Sequence, residues 1–111
     1  MGGGMTNALA KGTRWRKLVQ DWLTGLGYEC TAKAWMQPGD DIEAVRGMLA
    51  LSVECKDHRA LAIGTWVDQA ERQCPDGQIP IVVAHRLGHS RAEDAFVIMS
   101  AHTFGDLLES L

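Results

Sequence analysis

Hydrophobic positions recur with two different periods along this chain, and each period predicts a different element. Trp15, Leu18, Val19, Trp22, Leu23 and Leu26 follow the three-and-four spacing of one buried helical stripe. Arg14, Lys17, Gln20 and Asp21 take the opposite face, with Thr13 as the expected N-cap and Gly27 as the expected stop. Residues 1–10 carry no periodic signal and read as a flexible leader. Farther on, the period shortens to two. Leu49, Leu51, Val53 and Cys55 share one face of an extended segment, while Ala50, Ser52, Glu54 and Lys56 share the other.

The remaining segments complete an order. Tyr28 to Trp35 reads as a first strand, Gln37-Pro38-Gly39 as a turn, and Asp41 to Val45 as a second strand. Arg46-Gly47 makes a tight connection to the third strand, Met48 to Lys56, and Asp57 to Arg59 is a polar loop. Gly64-Thr65 precedes a helix from Trp66 to Cys74 with Trp66, Ala70 and Cys74 on one face, closed by Pro75-Asp76-Gly77. Ile79 to His85 and Ala95 to Ala101 read as buried strands around a turn at Leu87 to Arg91. Thr103 caps a last helix carrying Phe104, Leu107, Leu108 and Leu111. The expected fold is α/β, one domain over residues 11–111. Its mixed central sheet is flanked by helices in the order αβββαββα.

Composition narrows the class. With 111 residues, 46% apolar and 23% charged, the chain suits one folded domain rather than two or a disordered segment. No apolar run approaches the roughly 18–20 residues of a membrane span, so no membrane partner is expected. The N-terminus lacks the basic-then-apolar order of a secretory signal. Cys30, Cys55 and Cys74 form an odd, widely spaced set, which points to a reducing, cytoplasmic setting rather than a disulfide scaffold. The net charge of −3 does not by itself suggest nucleic acid. Its distribution says more. Lys11, Arg14, Arg16 and Lys17 cluster early, and His85, Arg86, His89 and Arg91 gather around a later turn. The acids concentrate at Asp40-Asp41-Glu43 and Glu54 to Asp57, where a bound cation would offset them.

The third strand carries the candidate chemistry. Glu54 and Lys56 project side by side from its end, and a hairpin brings the Asp40-Asp41 pair within reach. Two carboxylates holding a hard divalent cation beside an ammonium are a toolkit for phosphodiester hydrolysis. Taken alone, Asp40-Asp41 after Pro-Gly also fits a solvated turn. Glu54 and Lys56 alone also fit an exposed ion pair worth under about 1 kcal/mol. Zinc is a competing chemistry, because Cys55-x-x-His58 and His85-x-x-x-His89 have ligand-like spacing. Against it, Cys55 lies on the apolar face of its strand and the chain has no Cys-x-x-Cys pair. The four tryptophans, Trp15, Trp22, Trp35 and Trp66, lie on apolar stripes or strands and are expected in the core.

The order of elements, an aspartate followed by an aliphatic residue on the second strand and Glu-x-Lys on the third together resemble the PD-(D/E)XK nuclease superfamily, with its restriction-endonuclease-like fold. Lys11-Gly12-Thr13 opening the first helix and Gly27-Tyr28 closing it look like the Holliday junction resolvase branch. Pro38-Gly39-Asp40-Asp41-Ile42 and Trp66-Val67-Asp68-Gln69-Ala70-Glu71 look like its small phage-type members. The resemblance spans roughly residues 11–108.

It implies a role for each matching position. Asp41, followed by Ile42, and Glu54 match the metal-binding acids, with the backbone carbonyl of Cys55 completing the protein's ligands. Lys56 matches the catalytic lysine, and Gln69 a glutamine that points toward the site. The implied cofactor is Mg2+, with Mn2+ as a substitute. Lys11, Arg14, Arg16, Lys17, His58 and Arg59 become candidates for DNA contact. One departure stands out: relatives often carry a glutamate on the first helix where Arg16 falls here. The implied function is a metal-dependent endodeoxyribonuclease cutting branched DNA as a homodimer, in the host cytoplasm if phage-encoded. Nicks, flaps or duplex ends are alternative substrates, and a non-catalytic DNA-binding module is the alternative of another class.

Overall fold

The order of strands in the sheet is the order of strands in the chain. The computed structural model describes residues 3–33 and 40–111, with the backbone alone for residues 3–10. Its strands are β1 (Glu29–Ala32), β2 (Ile42–Arg46), β3 (Leu49–Lys56), β4 (Ile79–Ala84) and β5 (Phe96–Ile98). β1–β2, β2–β3 and β4–β5 pair antiparallel, while β3–β4 is parallel. A parallel neighbour needs a crossover, and α2 (Ile63–Gln73) provides it. The other helices are α1 (Gly3–Gly25) and α3 (Ala101–Glu109), and a 3-10 turn covers Ala92–Asp94. This is the expected mixed α/β sheet flanked by helices.

The period-two reading of β3 holds on both faces. Leu51 and Val53 pack with Trp15, Val19 and Leu23 of α1, with Ile42 and Ala44 of β2, and with Ile79, Ile81 and Val83 of β4. Leu49, Cys55, Trp22 and Tyr28 lie partly buried against this main core. On the reverse face, Trp66 and Ala70 of α2 cover Val82 and Ala84 of β4. Trp15 is anchored further by its indole N–H, which donates to the Val83 carbonyl at 3.2 Å. The sheet is thus covered by α1 on one side and α2 on the other.

Several element boundaries differ from expectation. α1 begins at Gly3, so it takes in residues 3–10, where the apolar pattern gives no element, and Thr13 is an interior residue rather than its cap. The stretch from Met5 to Lys11 is rich in Ala, Leu and Met, and helix propensity extends the helix where burial periodicity is silent. β1 is shorter than Tyr28 to Trp35, and the expected Gln37-Pro38-Gly39 turn and Trp35 lie outside the described residues. α2 starts at Ile63, its first bond running from the Trp66 N–H to the Ala62 carbonyl, which places Gly64 and Thr65 inside it. β5 is not the buried strand expected over Ala95 to Ala101. It is three residues at the sheet edge, with Phe96 and Val97 exposed. Ser100, not Thr103, caps α3, its hydroxyl accepting the Thr103 N–H at 3.1 Å.

The connection between β2 and β3 sets the register that matters for the site. Arg46 pairs with Leu49, leaving Gly47 and Met48 as a two-residue hairpin loop. Gly47 adopts φ +60°, a conformation that costs a residue with a Cβ but not glycine. From that turn the ladder runs back through Ile42↔Val53. Asp41 comes just before β2, its N–H reaching the Val53 carbonyl.

Candidate active site

β2 starts only at Ile42, so the end of β3 has a backbone donor without a β2 strand partner, and Asp41 supplies one. The Asp41 N–H donates to the Val53 carbonyl at 2.9 Å, the last rung of the ladder. Its carboxylate then turns back, and Oδ2 accepts the Cys55 N–H at 2.7 Å. This fixes the Asp41 side chain beside the Glu54–Cys55–Lys56 backbone. Glu54, only 6% exposed, contacts the Lys56 ammonium through Oε2 at 3.2 Å. Lys56 Nζ also donates to Gln69 Oε1 of α2 at 2.8 Å. Asp41, Glu54, Lys56 and Gln69 are therefore brought together at one end of the central strand.

Burial dominates the electrostatics of this cluster. Burial, followed by the charge of Asp41, pushes the Glu54 carboxyl up to about 7, and Lys56 only partly opposes it. Burial also raises Asp41, against the pull of the Cys55 N–H, Arg16 and Lys56. Two carboxyls are thus each held above their ordinary range, first by burial, with nearby positive charge only partly offsetting it. Two carboxylates with one backbone carbonyl suit a hard ion that keeps several waters. They do not suit zinc. Burial pushes the Cys55 thiol well up, away from the thiolate zinc needs, and its side chain packs against the main core. Among the described residues, no three His, Cys, Asp or Glu side chains converge as a metal-binding group.

Asp40 has a different environment from its neighbour. It is 4% exposed, accepts the Ser52 hydroxyl at 2.7 Å and faces the Lys33 ammonium at 3.3 Å. It is tied into the sheet through Ser52, whereas Asp41 is tied to the strand end. Sequence reasoning did not single out Lys33 or Ser52. The alternation of Ser52 with Glu54 on one face of β3 was the available signal.

The candidate DNA-contacting residues divide into three groups. Lys11, Arg14, His58 and Arg59 line adjoining clefts beyond the end of β3. Arg16, at the departure point, instead acts electrostatically on Asp41 and Cys55. Lys17 is engaged with Asp21 at 2.8 Å on the exposed face of α1 and lines neither cleft. His85, Asp57 and His89 join the first group, although the sequence reading assigned them no contact. No local spacing signals them: the parallel β3–β4 register, in which Lys56 pairs with Ala84, sets Asp57 near His85.

Fold comparison agrees with this topology. The 1.6 Å structure of Hjc from Archaeoglobus fulgidus, a Holliday junction resolvase from an archaeal hyperthermophile, superposes with a TM-score of 0.57. The chain shares that fold. The match covers 79% of this chain and 71% of Hjc, at 21% sequence identity. No family model and no curated protein matches the sequence. Among the described residues no helix is long and apolar enough to cross a membrane.

Proposed function

We propose that this chain is a Mg2+-dependent endodeoxyribonuclease that hydrolyses phosphodiesters in branched DNA, with four-way junctions as its preferred substrate. The observation that carries the reading is the convergence of Asp41, Glu54, Lys56 and Gln69 at the end of β3. The fold shared with a Holliday junction resolvase supports it. Asp41, Glu54 and the Cys55 carbonyl would hold the cation, with Mn2+ as a substitute. Bound there, the ion supplies Lewis-acid polarisation of the phosphate and lowers the pKa of water.

The chain's own residues do the positioning. Lys56, gripped between Glu54 and Gln69, presents a fixed ammonium where charge develops on the phosphate oxygens. Gln69 orients Lys56 from α2 and thereby couples the helix to the strand end. The Cys55 N–H orients Asp41. Symmetric cutting of a four-way junction needs two such sites, so the active species on this reading is a two-fold homodimer. The three free cysteines suit a reducing compartment such as the cytoplasm.

Four-way, flap, nicked and linear DNA of equal length, incubated with Mg2+ and with EDTA, test the substrate. Paired symmetric nicks confined to the four-way junction are expected with Mg2+. Cutting of flaps, nicks or ends in preference to junctions would replace junction resolution with a general structure-dependent nuclease. Junction binding without any cutting would leave a DNA-binding module on a nuclease fold.

A further inference from the structure

Beyond the end of β3 the chain builds a basic groove that the catalytic cluster does not use. Its larger lobe, a cleft of about 460 Å³, lies between α1 and the loop after β4, and Lys11, Arg14, Asp57, His85 and His89 are on its walls. A smaller lobe of about 130 Å³ adjoins it, sharing Lys11, Asp57 and His85 and adding His58 and Arg59. Asp57 directly follows Lys56, so the groove opens where the candidate active site stops.

Asp57 is the one carboxylate on either wall among the described residues, and its charge is already met. His85 Nδ1 lies 2.8 Å from Asp57 Oδ1, and Lys11 Nζ lies 3.6 Å from the same oxygen. The other ring nitrogen, Nε2, faces the His89 carbonyl. Both ring nitrogens are thus engaged, one on each side of the ring. Trp15 stacks beneath it at 4.6 Å between ring centroids. His85 therefore serves as a pinned strut between β3 and the loop after β4. Arg14 and Arg59 form no ion pair among the described residues, and each is exposed in a different lobe.

We infer that this groove is a track for the DNA backbone, seating one phosphate in each lobe, Arg14 contacting one and Arg59 the other, away from the phosphate that is cut. An open, two-lobed channel with a guanidinium in each half suits an extended polyanion better than a compact anion. Beside Leu18, Leu87 and Ser90 its walls carry charged side chains and histidines, and Trp15, at 2% exposed, presents no face for a base. The contact is therefore with phosphate and carries no sequence information. This assignment rests on the DNA-cleaving reading above.

The test is the salt dependence of four-way junction binding, with Ca2+ replacing Mg2+, for wild type and for R14A/R59A. R72A, an exposed arginine on α2, serves as control, and Mg2+-dependent cutting by wild type is measured alongside. Losing two phosphate contacts should flatten the slope of log affinity against log salt by about two. It should also weaken binding at least tenfold at moderate salt, with R72A matching wild type. If wild type cuts DNA and R14A/R59A keeps the wild-type slope, the track is wrong while the nuclease reading stands. The track is equally overturned if R72A flattens the slope as much. If wild type neither binds nor cuts DNA of any structure, both readings fall together.

Discussion

The Asp41 carboxylate accepts the Cys55 N–H at 2.7 Å, joining the start of β2 to the end of β3 by a side chain where the backbone ladder has stopped. One residue thus closes a strand pair and, on the proposed reading, also offers an oxygen to a cation. The two are separable. Asp41→Asn keeps an acceptor for the Cys55 N–H and should remain near wild-type stability while losing divalent-cation affinity. Asp41→Ala leaves that N–H without its partner and should lose about 1–3 kcal/mol in denaturant melts. Equal stability of Asp41→Ala and wild type would show that the hydrogen bond does not hold the strand end.

Metal-free protein should lose stability as pH rises from about 4.5 to about 7. Glu54 is held up to about 7 in the fold by burial and by Asp41, against an ordinary value of 4.5. Between these values the native state binds more protons than the unfolded state, so the slope of unfolding free energy with pH is negative. The favourable contribution is complete below the unfolded value and is lost as pH passes the folded one. The raised Asp41 acts in the same direction. The total is on the order of a few kcal/mol, given the burial of Glu54. Glu54→Gln should flatten the profile and raise stability above pH 7. Mg2+ should reverse the trend in wild type, because it binds the deprotonated pair. Thermal melts across pH, with and without Mg2+, would show this. A profile identical in wild type and Glu54→Gln would contradict it.

Much of this site was legible in the one-dimensional pattern because strand alternation is a rigid constraint. Once Leu51 and Val53 face the core, Glu54 and Lys56 must share the opposite face, and the hairpin at Gly47 brings Asp41 to the end of β3. The segments that were not legible lack such a constraint. Residues 3–10 extend a helix by propensity, with no burial stripe to announce it. β5 is apolar in sequence yet exposed, because edge position depends on which strand comes last, a property of topology rather than of local pattern. The junction of Asp57 with His85 depends on a parallel register set by a crossover, which no local spacing encodes.

Lys56 and Gln69 should differ in their effects although they touch. Lys56→Met removes the ammonium and should lower single-turnover cleavage about 10²–10³-fold, the scale for losing one transition-state donor. Gln69→Ala only loosens Lys56 and should cost roughly tenfold, with DNA affinity unchanged. A larger loss in Gln69→Ala than in Lys56→Met would mean that the glutamine acts on the substrate itself.

Arg16 occupies the place where the resemblance expects an acid, and its charge acts on Asp41. Arg16→Glu should strengthen Mn2+ binding about tenfold or more in calorimetry, because a nearby repulsive charge becomes attractive. It should also destabilise the metal-free protein, since a third carboxylate joins two that burial already holds above their ordinary range. Unchanged Mn2+ affinity would show that Arg16 does not face the cation position.

The central claim is that Asp41 and Glu54 together hold the cation on which strand cleavage depends. Single-turnover cleavage of a four-way junction, followed as Mg2+ is titrated, tests it most directly in wild type, Asp41→Asn and Glu54→Gln. The account predicts saturable, Mg2+-dependent nicking by wild type and no cleavage by either folded variant at any Mg2+ concentration. Cleavage by wild type in EDTA, or full-rate cleavage by either variant, would contradict it.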